Sequence, residues 1–185
     1  MSPPVFTLIA GANGAGKSTL TSGNPEVFSP FPLLDPDAFR KPISPAATAS
    51  PIAAGREVLR LAKEYLKRHQ SFSIETTLSG KNYLEMMIGA RTLGFEIVLV
   101  YIGTEKVEIN LSRIAQRVLS GGHDVPEVDV RRRFSSRSPS VALTTHFFSI
   151  TPRNKAINFW VSSRRRQFSG STRYPWAINL KPLFP

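Results

Sequence analysis

The 185-residue sequence predicts an α/β layered fold, a mostly parallel central sheet flanked by helices. Three observations predict it. Val5-Phe6-Thr7-Leu8-Ile9-Ala10 is an apolar, β-branched run of the kind that forms a buried parallel strand. The glycine-rich stretch behind it opens straight into Thr19-Leu20, which can continue a helix. Strand-like and helix-like segments then alternate as far as Phe134, as successive βαβ units require.

The glycine-rich stretch is specific. Gly11-Ala12-Asn13-Gly14-Ala15-Gly16-Lys17-Ser18 fits the phosphate-binding pattern G-x-x-x-x-G-K-[ST] at every fixed position, with Thr19 beyond it. Glycines let successive N–H groups turn inward around a phosphate without Cβ clashes. The helix N-terminus that follows adds partial positive charge. Lys17 would reach the β- and γ-phosphates and Ser18 would ligate Mg²⁺. The layered fold is therefore expected to be of the P-loop NTPase type, with ATP and Mg²⁺ as cofactors. The loop alone does not say what is done with the nucleotide.

The remaining elements follow in order. Residues 21–32 are rich in Pro, Ser and Gly and read as a connection. Phe31-Pro32-Leu33-Leu34 leads into Asp35-Pro36-Asp37, and Pro32 shortens any strand there. Lys41 to Pro51 is a second Pro/Ala/Ser-rich stretch, and Ser50-Pro51 reads as an N-cap with proline at the first helical position. Val58, Leu59, Leu61, Ala62, Tyr65 and Leu66 then form a helical apolar stripe. Ser71-Phe72-Ser73-Ile74 alternates like a strand and ends at Glu75-Thr76-Thr77. Tyr83 to Leu93 reads as a helix closed by Gly94. Phe95 to Ile102 is the strongest strand pattern, Glu105 to Leu119 a helix ended by Gly121-Gly122, and Val128 to Phe134 the start of another helix. Beyond Phe134 the texture changes to Ser, Arg and Pro, with Phe147–Ile150 and Ile157–Val161 as short strand candidates. Residues 1–134 are thus expected to form one domain and 135–185 a basic, irregular tail. Either a reading-frame change or a divergent extension could produce that tail.

Composition narrows the function classes. No apolar run approaches the roughly 20 residues that span a bilayer, no signal peptide is apparent, and there are no cysteines for disulfides or thiolate metal sites. A cytoplasmic protein is expected. The formal charge of +11 is unevenly placed: residues 1–129 hold 13 basic and 13 acidic side chains, and residues 130–185 hold 11 basic and no acidic ones. Any nucleic-acid affinity would belong to the tail and be sequence-independent. A nucleic-acid-binding protein, or a polynucleotide 5′-hydroxyl kinase, is the alternative function class; a nucleotide-binding but catalytically degenerate chain is another.

In parallel sheets ligands bind at the carboxyl ends of strands. Asp37 stands where a carboxylate could accept the proton of an attacking hydroxyl. Asp35 competes with it, and a turn or cap role suits both. Glu75 and Thr77 could grip acceptor hydroxyls, or form a solvated strand end. Arg113 and Arg117 lie four apart before the glycine pair, as lid arginines or a solvated helix face. His123 could be a base or a structural loop residue.

Taken together, four segments resemble the zeta-toxin family of P-loop kinases: Gly11 to Thr19, Leu34-Asp35-Pro36-Asp37-Ala38-Phe39, Ser73 to Gly80, and Arg117 to Pro126 followed by Arg131-Arg132-Arg133-Phe134. The resemblance covers about residues 5–134, in its compact bacterial branch. It implies phosphoryl transfer from ATP to a hydroxyl, which in the toxin members belongs to UDP-N-acetylglucosamine, and it raises an antitoxin as a partner. It also implies that Asp37 is the catalytic aspartate, that Glu75 and Thr77 face the substrate, and that Arg117 contacts the phosphates. A second such arginine falls at Arg131, Arg132 or Arg133.

Overall fold

The computed structural model describes residues 2–28, 30–40, 50–79, 82–135, 145–150 and 158–162. In chain order the elements are β1 (Val5–Ala10), α1 (Lys17–Gly23), α2 (Pro25–Phe28), β2 (Leu33–Leu34), a 3₁₀ turn (Ala38–Arg40), α3 (Pro51–Lys67), β3 (Phe72–Thr76), α4 (Asn82–Thr92), β4 (Glu96–Tyr101), α5 (Val107–Leu119), α6 (Glu127–Ser135), β5 (Thr145–Ile150) and β6 (Asn158–Ser162). The sheet order is β2-β3-β1-β4-β5-β6. The first four strands run parallel, with Leu8 opposite Ile74 on one side and Leu99 on the other. β5 and β6 add antiparallel strands beyond β4. The α/β fold with a mostly parallel sheet is as the sequence predicts. Of the tail, the two strand candidates join this sheet; the rest of it lies outside the described residues, as does the stretch 41–49.

Alternation along β1 sends side chains to both faces, and each face carries its own core. Phe6 and Leu8 pack with Phe72, Ile74, Val58, Ala62 and Ala90 beneath α3 and α4. Ile9 packs with Ala15, Leu20, Phe28 and Val100 on the α1 side. Aromatic rings knit the first core: Phe6 stacks on Phe72 at 4.5 Å, and Phe72 meets Phe95 edge-on at 6.3 Å.

Helix ends follow local chemistry. The Ser50 hydroxyl caps α3 by accepting from the Ala53 N–H at 3.2 Å. Gly94 closes α4 at φ 86° and Gly121 closes α5 at φ 82°, the left-handed conformation glycine adopts freely. α3 closes without glycine: His69 takes φ 52°, the His69 and Gln70 N–H groups donate to the Leu66 and Tyr65 carbonyls, and the imidazole stacks on Phe95. Among the described residues no helix is long and apolar enough to cross a membrane.

Candidate functional site

β1 ends between two parallel neighbours, and the glycine loop is tied to both. The Gly11 N–H donates to the Thr76 carbonyl at 3.2 Å, and the Ile102 N–H to the Ala10 carbonyl at 2.8 Å. Gly14 and Gly16 take φ values of 75° and 105°, so the loop's shape depends on residues without Cβ. α1 starts at Lys17, directly after Gly16. The Ala15 side chain packs in the core, Ala12 is also buried, and Asn13 is partly exposed.

Lys17 is buried and folded back on the loop, its Nζ donating to the Gly11 carbonyl at 2.9 Å and the Ala12 carbonyl at 3.3 Å. Burial pushes its pKa down; Glu75, Asp37 and Asp35 pull it back up. A buried ammonium facing a glycine cradle and a helix N-terminus fits a polyanionic phosphate group. The Ser18 hydroxyl, which donates to Glu75 here, is the group that could hold Mg²⁺ alongside phosphate oxygens; among the described residues no cluster of His, Asp and Glu forms a metal site of its own.

Two clefts meet over Lys17. The larger, about 510 Å³, is bounded by Asp35, Asp37, Thr77, Tyr83 and Arg133. The smaller, about 450 Å³, runs along Gly14, Gly16, Ser18 and Thr19 towards Arg113 and Gln116. Asn13, Lys17, Asp37, Glu75 and Arg117 line both.

The two aspartates divide their roles. The Asp35 carboxylate accepts from the Asp37 N–H at 2.9 Å, and its carbonyl accepts from Ala38, so Asp35 builds the turn that presents Asp37 at the junction. Glu75 is buried at the end of β3, and its Oε1 accepts from the Ser18 hydroxyl at 3.0 Å. Burial pushes the Glu75 carboxyl up, and Lys17 is the main opposing influence. This contact draws Glu75 towards the loop as well as the larger cleft. Thr77 pairs with Ser79, hydroxyl to hydroxyl, at 2.5 Å, around Leu78 in a left-handed conformation of φ 54°.

The arginines separate by geometry. Arg113 donates to the Ala15 carbonyl at 3.3 Å and lines the smaller cleft beside the loop. Arg117 enters both clefts and donates to the His123 carbonyl at 2.6 Å. His123 lines the larger cleft and holds Arg117 through its backbone. Arg131 pairs with Glu127 and Glu108 on the surface, and Arg132 pairs with Asp129. Arg133 instead lines the larger cleft and donates to Asn13 Oδ1 at 2.6 Å. Of the three sequence candidates, Arg133 is the one brought to the loop.

Sequence reasoning missed Asn110 and Tyr83. Asn110 is fully buried on α5 and donates to the Asn13 carbonyl at 2.7 Å. Its signal was an amide at an inward position of an amphipathic helix.

A family model for zeta toxins matches residues 2–149, past the last of the four sequence motifs. Over 125 residues the chain is 41% identical to an uncharacterized protein of Haemophilus influenzae, covering 67% of this chain and 88% of that one. Among solved structures, a candidate kinase from Chloroflexus aurantiacus superposes with TM-score 0.57 at 21% identity, covering 72% of this chain and 80% of that one. A chain of the Pnkp1/Rnl/Hen1 RNA repair complex superposes with TM-score 0.58 at 21% identity, covering 73% of this chain and 44% of that one. At such identity these two structures share the fold. The motif order, the cleft that gathers the motifs and a match over most of the sequence agree: the chain belongs to the zeta toxin family.

Proposed function

We propose that the protein is an ATP-dependent phosphotransferase that moves the γ-phosphate of ATP to a hydroxyl of a small acceptor. One observation carries the reading: Lys17, Asp37, Glu75 and Arg117 line the junction of two clefts, one along the phosphate loop and one beside it. ATP supplies the phosphoryl group, and Ser18 would hold a Mg²⁺ that would neutralise charge on it. The acceptor oxygen bonds to the γ-phosphorus as the bond to the β,γ-bridging oxygen breaks. Asp37 takes the hydroxyl proton. Lys17, Arg117 and Arg133 offset negative charge on the transferring and leaving oxygens. Thr77 and Glu75 orient the acceptor. The family suggests UDP-N-acetylglucosamine as the first acceptor to assay.

The test is γ-labelled ATP with a panel of hydroxyl acceptors: UDP-N-acetylglucosamine, free sugars and a 5′-hydroxyl oligonucleotide. One acceptor is expected to take label. Asp37→Ala should lower that transfer by about 10²- to 10⁴-fold while ATP still binds. Full turnover in Asp37→Ala would overturn the assignment of the base, and label going to the oligonucleotide alone would favour a polynucleotide kinase.

A further inference from the structure

The phosphate loop has an outer side, and its polar groups there are accounted for by one helix. Asn110 lies on the first half of α5 with a relative exposure of 0%. Its Nδ2 donates to the Asn13 carbonyl at 2.7 Å. Its Oδ1 accepts from the Thr104 hydroxyl just after β4, which fixes the amide so that nitrogen, not oxygen, faces the loop. Its backbone carbonyl stands against Gly14, where a Cβ would come within 2.5 Å. One turn on, Arg113 reaches the Gly14 carbonyl at 3.5 Å and the Ala15 carbonyl at 3.3 Å. The carbonyls of Asn13, Gly14 and Ala15 are thus drawn to the outside. Peptide planes are rigid, so holding the Asn13 carbonyl outward holds the Gly14 N–H inward, while the Ala15 N–H donates to the Ala12 carbonyl at 3.1 Å. Preorganised N–H groups are what a phosphate loop binds with.

We propose that Asn110 is a positioning residue for nucleotide binding, its amide set by Thr104 and holding the Asn13 carbonyl outward so that the Gly14 N–H stays aimed at phosphate. The inference rests on the nucleotide-binding reading of the loop. Asn110 touches no substrate; it acts through the backbone.

The experiment is a titration of the full chain with fluorophore-labelled ADP and Mg²⁺. Asn110→Ala removes the donor, and Asn110→Asp keeps the shape but replaces the donor with an acceptor. Both should weaken binding about tenfold or more, because the half-buried Asn13 carbonyl loses its partner. Thr104→Val, which frees the amide to rotate, should weaken it less. Val58→Ala, buried in the opposite core away from the loop, matches the loss of stability and should leave affinity unchanged. Affinity in the Asn110 variants equal to wild type, or a loss no greater than that of Val58→Ala, would overturn the positioning role. If neither Asn110 variant folds, Thr104→Val decides: unchanged affinity overturns the proposal and a weakened one supports it. A wild-type chain that binds no labelled ADP overturns the nucleotide reading itself and this role with it.

Discussion

Gly14→Ala tests how tightly the loop is packed on α5. Gly14 has φ 75°, and a Cβ there would lie 2.5 Å from the Asn110 carbonyl oxygen and 3.0 Å from its carbonyl carbon. The left-handed conformation alone costs a non-glycine residue about 1–2 kcal/mol. A relaxed carbon-to-oxygen contact needs about 3.3 Å, so the loop must retreat by about 0.8 Å. The Asn110 oxygen belongs to a helix backbone and does not yield. Such a retreat stretches the neighbouring 2.7 Å bond from Asn110 to Asn13 to the edge of hydrogen-bonding distance. Losing that bond costs about 1 kcal/mol more. Together these predict a loss of about 2–3 kcal/mol, or about 4–12 °C in melting temperature for a chain of this size. Thermal and urea melts measure it, with a nucleotide titration alongside. Gly23→Ala is the control, because a Cβ there meets nothing within 4 Å. If Gly14→Ala and Gly23→Ala melt together and bind nucleotide equally, the account of the loop's packing is wrong.

Three further outcomes are expected. Gly122→Ala would put a Cβ 2.5 Å from Arg117 Cγ and push that side chain from the cleft, lowering kcat by about 10- to 100-fold; an unchanged kcat would remove Arg117 from the transfer step. The buried Glu75 carboxyl holds its proton to higher pH in the folded chain than in the unfolded one, so its contribution to stability falls as pH rises from the ordinary carboxylate range through its raised value. Wild type should therefore lose stability relative to Glu75→Gln across that window in urea melts at successive pH values, and parallel curves would contradict the burial argument. Ser50→Ala removes the N-cap of α3 and should cost about 1 kcal/mol in a melt without changing nucleotide affinity.

What was legible in the sequence was periodic or local. The apolar runs of β1 and β4, the glycine loop, the Ser50 cap and the closing glycines Gly94 and Gly121 all depend on neighbours in the chain, and all stand where the residues put them. Asp35 and Asp37 look alike in the sequence; in three dimensions the Asp35 carboxylate accepts from the Asp37 N–H and lines the larger cleft, whereas Asp37 lines both clefts. Glu75 meets Ser18 across 57 residues, a pairing no local pattern records. Arg113 and Arg117 share a helix face and both line the smaller cleft, yet Arg113 also donates to the loop carbonyl of Ala15, whereas Arg117, one turn further on, reaches the larger cleft and the His123 carbonyl. Arg131, Arg132 and Arg133 look alike in sequence; helix rotation sends the first two to surface carboxylates and the third to Asn13. His69 closes α3 without the glycine that usually marks such an end.

Asn110, Arg113 and Arg117 occupy successive turns of α5. A helix turns about 100° per residue, so one inserted or deleted residue ahead of Asn110 would swing all three away at once. Residues 122–126 are tied to the same helix, Gly122 lying against Arg117 and the His123 carbonyl accepting from it, so an extra residue there would leave the register of α5 intact but shift this wall of the larger cleft. The helix behaves as a single heritable unit: point substitutions can be tested at each position separately, but its register is inherited whole.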